Sequence, residues 1–244
     1  MIASYKNDVR STSLEKAFSE KIIAILENTP DISVVELISL YAYAVQNKFP
    51  SYIVAIKPSK DTIFTEQTEY SEWTYSLNDI MKTSSVPFIE SIAKAKYYLD
   101  KIFFMHTKRG VLEYVYHEEA LLASRELQQK LNVSRATISR YVDIGMEIVQ
   151  GVGHRRYPLH NVFLWSNGVW AVKIQALHES FKIRNRTKND VISELKAEIK
   201  HFKTKYCGNF EDVFGDVNDP YELDEPDDYF EWRDALEELK KLHE

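Results

Sequence analysis

Cysteine is almost absent: Cys207 is the one thiol in 244 residues. A lone cysteine excludes an intrachain disulfide and any zinc site built on paired cysteines. Long apolar runs are missing too. No stretch approaches the ~18–20 residues that a membrane-spanning helix needs. The opening residues, MIASYKNDVRSTSLEKAF, lack the apolar segment of a secretory signal. These absences lead to the expectation of a cytoplasmic protein of bacterial or phage type. The length suits one large domain or two small ones.

Catalytic signatures are equally sparse. There is no nucleotide-binding loop, no internal repeat and no recombinase signature. The seven histidines, His106, His117, His154, His160, His178, His201 and His243, are scattered. His117-Glu118-Glu119 resembles a fragment of a metal site but has no second ligand four residues on. Carboxylates abound near the end of the chain, yet in a segment broken by glycine and proline, with no rigid strand to fix a metal. No enzyme, cofactor or metal site is therefore expected.

Net charge is −6, which on average argues against nucleic acid. The average conceals an asymmetry. From Cys207 to the end there are 14 acidic and three basic residues, so residues 1–206 carry +5. Between Lys182 and Lys205, eight basic residues face three acidic ones. A mildly basic body with an acidic tail suits a nucleic-acid binder better than the mean does.

The fold class expected is mainly α with minor β. Residues 14–28 place Leu14, Phe18, Ile22, Ile25 and Leu26 at helical spacing, and Thr29-Pro30 ends that helix. Asp31 or Ser33 then caps a second helix through about Gln46. Residues 52–57 are β-rich, with a turn at Pro58-Ser59-Lys60-Asp61. A second strand is expected within 61–75, ending near Trp73-Thr74-Tyr75. A third helix is expected from Val86 to His106, closed by Gly110, and then a strand or extended linker over 111–116. Residues 1–115 thus form an α-rich domain for sensing or interaction. Its aromatics (Tyr41, Tyr43, Tyr52, Tyr70, Trp73, Tyr75, Tyr97, Tyr98) are read as core and surface residues rather than a ligand pocket.

The informative stretch is 124–146, SRELQQKLNVSRATISRYVDIGM. Ser124 suits the N-cap of a short helix, on which Leu127 and Leu131 share a face. Asn132 stands where a left-handed turn residue is needed, and Val133 can plug the turn. Ser134 caps a second helix from Arg135 to about Ile144, with Ile138 and Val142 inward. Arg135, Thr137, Ser139 and Arg140 are left among the outward positions. Such a helix can enter a major groove, where arginine bonds guanine bidentately and serine or threonine meets several bases. A short strand over 147–150 leads to Gly151-Val152-Gly153 and a basic arm, His154-Arg155-Arg156-Tyr157. Pro158 can open a closing helix, with Val162, Leu164 and Trp165 packing it back. His160, like His154, is expected near DNA.

This arrangement, ELQQKLNVSRATISRYVDIGM followed by GVGHRRYPLHNVFLW, resembles the MerR/excisionase type of winged helix-turn-helix over residues 124–165. The resemblance implies DNA contacts from Ser134, Arg135, Thr137, Ser139 and Arg140 on the recognition helix. It implies others from Gly153, His154, Arg155 and Arg156 on the wing. Tyr141 would pack against the sugar-phosphate backbone. Two departures stand out. Gln128 replaces a small residue between the helices, and the motif follows some 120 residues instead of standing near the N-terminus. The metal and drug sensing of MerR regulators does not carry over.

Beyond the reader, domain 116–168, lies a helical segment, 169–206. Trp170, Ile174, Leu177 and Phe181 alternate by four and three, a heptad seam. Continuing the phase gives Arg184, Lys188, Val191, Leu195, Glu198 and Phe202, with a polar break at 185–189 where Thr187 or Asn189 can cap a new helix. The seam can serve a homodimer or an intramolecular hairpin, and the spacing leaves both open. Residues 207–228 read as a mobile acidic linker broken near Gly215, Pro220 and Pro226. Residues 229–243 form an amphipathic helix with Phe230, Trp232, Leu236, Leu239 and Leu242 apolar. That helix would dock on the body, bind a protein partner, or let the acidic tail compete with DNA. The whole reads as a sequence-specific binder of double-stranded DNA, a transcriptional regulator associated with the nucleoid. The alternative is an excisionase-like, replication or partition accessory protein that organises DNA.

Overall fold

The structure is a computed structural model describing residues 24, 32–66, 72–83, 86–150 and 154–243. The chain is mainly helical with small sheets, as expected. It divides into two compact units, Met1–Asn185 and Arg186–Glu244. The α-rich N-terminal part and the reader therefore belong to one unit. The helix expected over 14–28, its Thr29-Pro30 stop and the Asp31 cap lie outside the described residues. No helix among the described residues is long and apolar enough to cross a membrane.

The first unit begins with α1 (Val34–Lys48). Ser33 caps it: its Oγ accepts from the Glu36 N–H, and the Glu36 carboxylate accepts from the Ser33 N–H. This reciprocal pair satisfies two N–H groups that the helix itself leaves free. β1 (Ile53–Pro58) follows, then β2 (Ile63–Phe64), α2 (Glu72–Lys82) and α3 (Phe88–Met105). The strand expected to end near Trp73-Thr74-Tyr75 is a helix there. Thr74, Leu77, Asn78 and Met81 recur at helical spacing on its buried side, and that periodicity outweighs local β-propensity. β3 (Thr107–Arg109) and β4 (Leu112–Tyr116) complete two antiparallel pairs, β1 with β4 and β2 with β3. Gly110 does not close α3, which ends at Met105. It sits between β3 and β4 at φ 100°, where any Cβ would collide with Thr62.

α3 serves two cores. Ile92, Ala95, Leu99, Ile102 and Phe103 face the first, with α1, α2 and β1–β4. Ala93 and Tyr97 face the second. At about 3.6 residues per turn, Lys96 and Asp100 fall between those two faces. The second core joins α4 (Ser124–Leu131), α5 (Arg135–Asp143), α6 (Asn161–Ser166) and α7 (Gly168–Asn185). The seam residues Trp170 and Leu177 are buried in it, Trp170 edge-on to Tyr97, while Phe181 stacks on Phe103. Arg184 continues the phase and donates to the carbonyls of Phe104, Thr107 and Gly110. As far as Asn185, then, the heptad seam packs largely within the first unit. The N-terminal aromatics divide as expected between core and surface: Tyr41, Tyr52 and Tyr97 are buried, Tyr43 and Tyr75 exposed. Tyr70 lies outside the described residues.

The second unit is a helical module with its own core. α8 (Lys188–Tyr206) is capped by Thr187, whose Oγ1 accepts from the Asp190 N–H. Residues 207–228 are structured, contrary to the linker expectation. They hold α9 (Phe210–Phe214) and a 3-10 turn at Pro220–Glu222. Phe210 and Phe214 pack edge-on to the fully buried Trp232 of α10 (Pro226–His243). Pro226 is no break: it begins α10, where a missing N–H costs nothing. The apolar side of α10, led by Trp232 and Ala235, packs with Leu195, Ile199 and Phe202 of α8. The apolar face of α10 is thus covered inside the module, not by the body as one expectation had it. Lys205 pairs with Glu225 and Asp228, so part of the basic segment is neutralised locally. Cys207 ends α8 in a left-handed conformation, φ 53°, with its thiol exposed.

Candidate nucleic-acid interface

The reader is built from short local signals. α4 begins at Ser124, and Ala123 holds the capping position instead. The reason is the Glu126 carboxylate, which accepts from the Ala123 N–H at 2.7 Å and fixes the start one residue earlier than serine preference predicts. Leu127 is buried and Leu131 packs beside it. Gln128, which replaces the small residue of the resembled motif, turns back along its own helix. Its Nε2 donates to the Ser124 carbonyl and hydroxyl at 3.1 and 3.2 Å. Asn132 takes the expected left-handed conformation, φ 53° and ψ 47°, and its neighbour Val133 packs into the second core.

Ser134 caps α5: its Oγ accepts from the Thr137 N–H at 3.1 Å. Ile138 is buried, Val142 half-buried. Ser134, Arg135, Ser139 and Arg140 are exposed, and Thr137 is half-exposed between them. Arg140 leans on Thr137, its Nη2 donating to the hydroxyl at 3.4 Å. Tyr141 departs from the expectation. Its ring stacks on Trp165, centroids 4.6 Å apart, so one face is taken by the protein's own core.

The wing is an antiparallel hairpin, β6 (Val149–Gln150) with β7 (Arg155–Pro158), pairing Val149 with Arg156 and Gln150 with Arg155. β5 (Leu121–Leu122) extends it on the far side of β7. The turn residues, including the expected contact Gly153, lie outside the described residues. His154 and Arg155 are exposed and Arg156 half-exposed. Among the described residues no carboxylate pairs with Arg135, Arg155 or Arg156. Pro158 does not open the closing helix. It ends β7 opposite Leu121, and α6 starts three residues later at Asn161. Leu164 and Trp165 are buried, as expected of the closing helix. Arg125 and Lys130 of α4 are also exposed. The leucine spacing that marks this helix in the sequence carries no signal for either side chain.

His160 is not near any outer surface. It is buried, with Nε2 3.0 Å from Glu147 and Nδ1 3.3 Å from the Tyr52 hydroxyl, which itself accepts from the His160 N–H. Glu147 links the recognition helix to the wing and gathers further partners. Tyr116 donates to it at 2.8 Å, and Lys96 lies 3.5 Å away. Lys96 also bonds Asp100 at 2.8 Å, and Tyr114 donates to Asp100. Burial alone would push the Glu147 carboxyl up. The Lys96 charge and the bond from His160 outweigh it and hold the group down at about 2. Burial dominates at Asp100 and raises its carboxyl despite Lys96. The tyrosine hydroxyls of 114 and 116 are pushed well up by burial and by the neighbouring carboxylates. The reader therefore rests on a buried ionic cluster drawn from five separate segments. The one local trace in the sequence was the Lys96–Asp100 spacing of four.

Comparison with known protein families, with curated proteins and with solved structures finds no match to this chain.

Proposed function

We propose that this chain is a sequence-specific binder of double-stranded DNA that acts as a transcriptional regulator of bacterial, phage or mobile-element type. The observation that carries the reading is a capped, outward-facing helix beside a basic β-hairpin, with no carboxylate among the described residues paired to Arg135, Arg155 or Arg156. In this reading α5 lies in the major groove. Arg135, Thr137, Ser139 and Arg140 meet base edges, and Ser134 stands at the helix start beside a phosphate. His154, Arg155 and Arg156 of the hairpin bear on the backbone or the adjacent minor groove. Tyr141 acts mainly by fixing α5 to Trp165. Arginines on the surface are what a polyanion needs, since each neutralised phosphate releases counterions.

Two copies reading paired half-sites would need a face other than the Trp170–Phe181 seam. The test is selection of bound duplexes from a random pool, followed by gel shifts of the selected site at several salt concentrations. The reading requires a recovered motif, binding that weakens with salt, and loss of discrimination in Arg135→Ala. Recovery of no motif, or equal binding by Arg135→Ala and Arg155→Ala, would overturn it.

A further inference from the structure

Beneath the reader lies a cavity of about 330 Å³, within the range of small-molecule sites. It opens where the two cores of the first unit meet along α3. Its apolar lining includes Leu112, Met146, Leu164 and Ile174, and a polar end is formed by the mutually bonded Lys96, Asp100, Glu147, His160 and Asn161, with His178 also on the lining. Asn161 is 1% exposed. Its Nδ2 donates to the Glu147 carbonyl at 2.8 Å, but its side-chain oxygen has no donor among the described residues. A buried acceptor left open costs free energy unless something fills it.

The chemistry of that end is one-sided. Lys96 is fully engaged, by Asp100, by Glu147 and by the face of Tyr114 4.0 Å away. The two carboxylate groups each keep unused lone pairs, because each carboxylate oxygen can accept more than one bond. Two carboxylates face one ammonium, so these three groups carry a formal excess of one negative charge. What is unfilled is acceptor capacity beside apolar walls. We propose that this cavity binds a small primary amine with an apolar tail. The ammonium donates to the Asn161 oxygen and to the Glu147 and Asp100 carboxylates, and the tail lies along Ile174 and Met146. The occupant touches residues 145–147, which join the recognition helix to the wing strand. The binding claim stands apart from the DNA reading.

Methionine provides the test. Of the four methionines, Met146 lines the cavity, Met81 is buried in the other core and Met105 is exposed. The full chain, labelled with ¹³C at the methionine methyls, is titrated with hexylamine, cyclohexylmethylamine and 2-phenylethylamine, and with hexanoate and hexanol as controls. The amines shift the Met146 methyl saturably and leave Met81 and Met105 in place. Asn161→Leu weakens the tightest amine roughly tenfold or more, the loss expected of one buried acceptor. Ile174→Phe fills a half-buried wall outside the polar end and abolishes the shift, with an unmoved Met81 signal showing that the variant folds. The proposal is overturned if no amine moves Met146, if hexanoate or hexanol binds as tightly as the amines, or if folded Ile174→Phe binds them like the parent. None of these readouts involves DNA.

Discussion

Two sets of charges share the first unit and differ in the direction they face. Arg135, Arg140, Arg155 and Arg156 stand on the surface of the reader, the first, third and fourth with no carboxylate partner among the described residues. Lys96, Asp100, Glu147 and His160 lie largely inside and pair with one another. The outer set contributes little to folding, because water solvates it as well in the unfolded chain. The inner set is fixed by folding and costs desolvation that only its mutual contacts offset. The outer charges are therefore replaceable without harm to the fold, whereas an inner charge cannot be removed alone.

The sharpest separation comes from removing one cation of each kind. Lys96→Met leaves Asp100 and Glu147 facing each other inside, and should cost about 3–5 kcal/mol in urea unfolding. Arg135→Ala should stay within about 0.5 kcal/mol of the parent in the same assay. Equal effects would erase the distinction. Acid should then discriminate the two sets without mutation. The folded Glu147 carboxyl lies below its ordinary value of 4.5, at about 2. Its contribution is present above 4.5 and is lost as pH falls through 2, a loss approaching about 3 kcal/mol. Asp100 shifts the opposite way and returns part of this as it protonates above its ordinary value. Unfolding midpoints followed from pH 7 to 2 should show little loss down to about 4.5 and a steep loss below. In Glu147→Gln the steep part should flatten.

On the outer side the effects are on binding. Arg135→Ala should cost about 1–3 kcal/mol at a selected duplex and relax one base position. Arg155→Ala should weaken all sequences alike and lower the salt slope by about 1. The smallest effect belongs to the turn between α4 and α5. Asn132→Ala should cost about 1 kcal/mol of stability, because alanine pays more for φ 53°, while Asn132→Gly should cost none. Thermal melts of the pair check the sign.

The contrast also explains what could be read from the sequence. Asn132, Ser134, Ile138 and the basic arm after Gly153 announce the reader through spacings of four or fewer residues, and turn chemistry is local. The inner cluster joins Tyr52, Lys96, Tyr116, Glu147 and His160, spread over more than half of the first unit. No periodicity links them, so His160 was sorted by its neighbours in the chain and not by its neighbours in space. The stretch 207–228 failed for a related reason. Its acidity and its proline and glycine residues suggested solvent, but Phe210 and Phe214 find Trp232 across the module. Pro226 starts the helix that it was expected to interrupt. Pro158 shows the same ambiguity: a proline suits a strand end as well as a helix start, and the pairing with Leu121 decided between them.

Cys207 makes the second unit observable by itself. It is the sole thiol, it is exposed, and it sits at the end of α8 in the acidic module. A maleimide dye added to the unaltered chain can therefore attach at one place only, with no other thiol to mutate away. The anisotropy decay of that dye times the rotation of the module itself. Recorded with and without duplex, it would reveal whether occupying the arginines of the first unit is felt in the second.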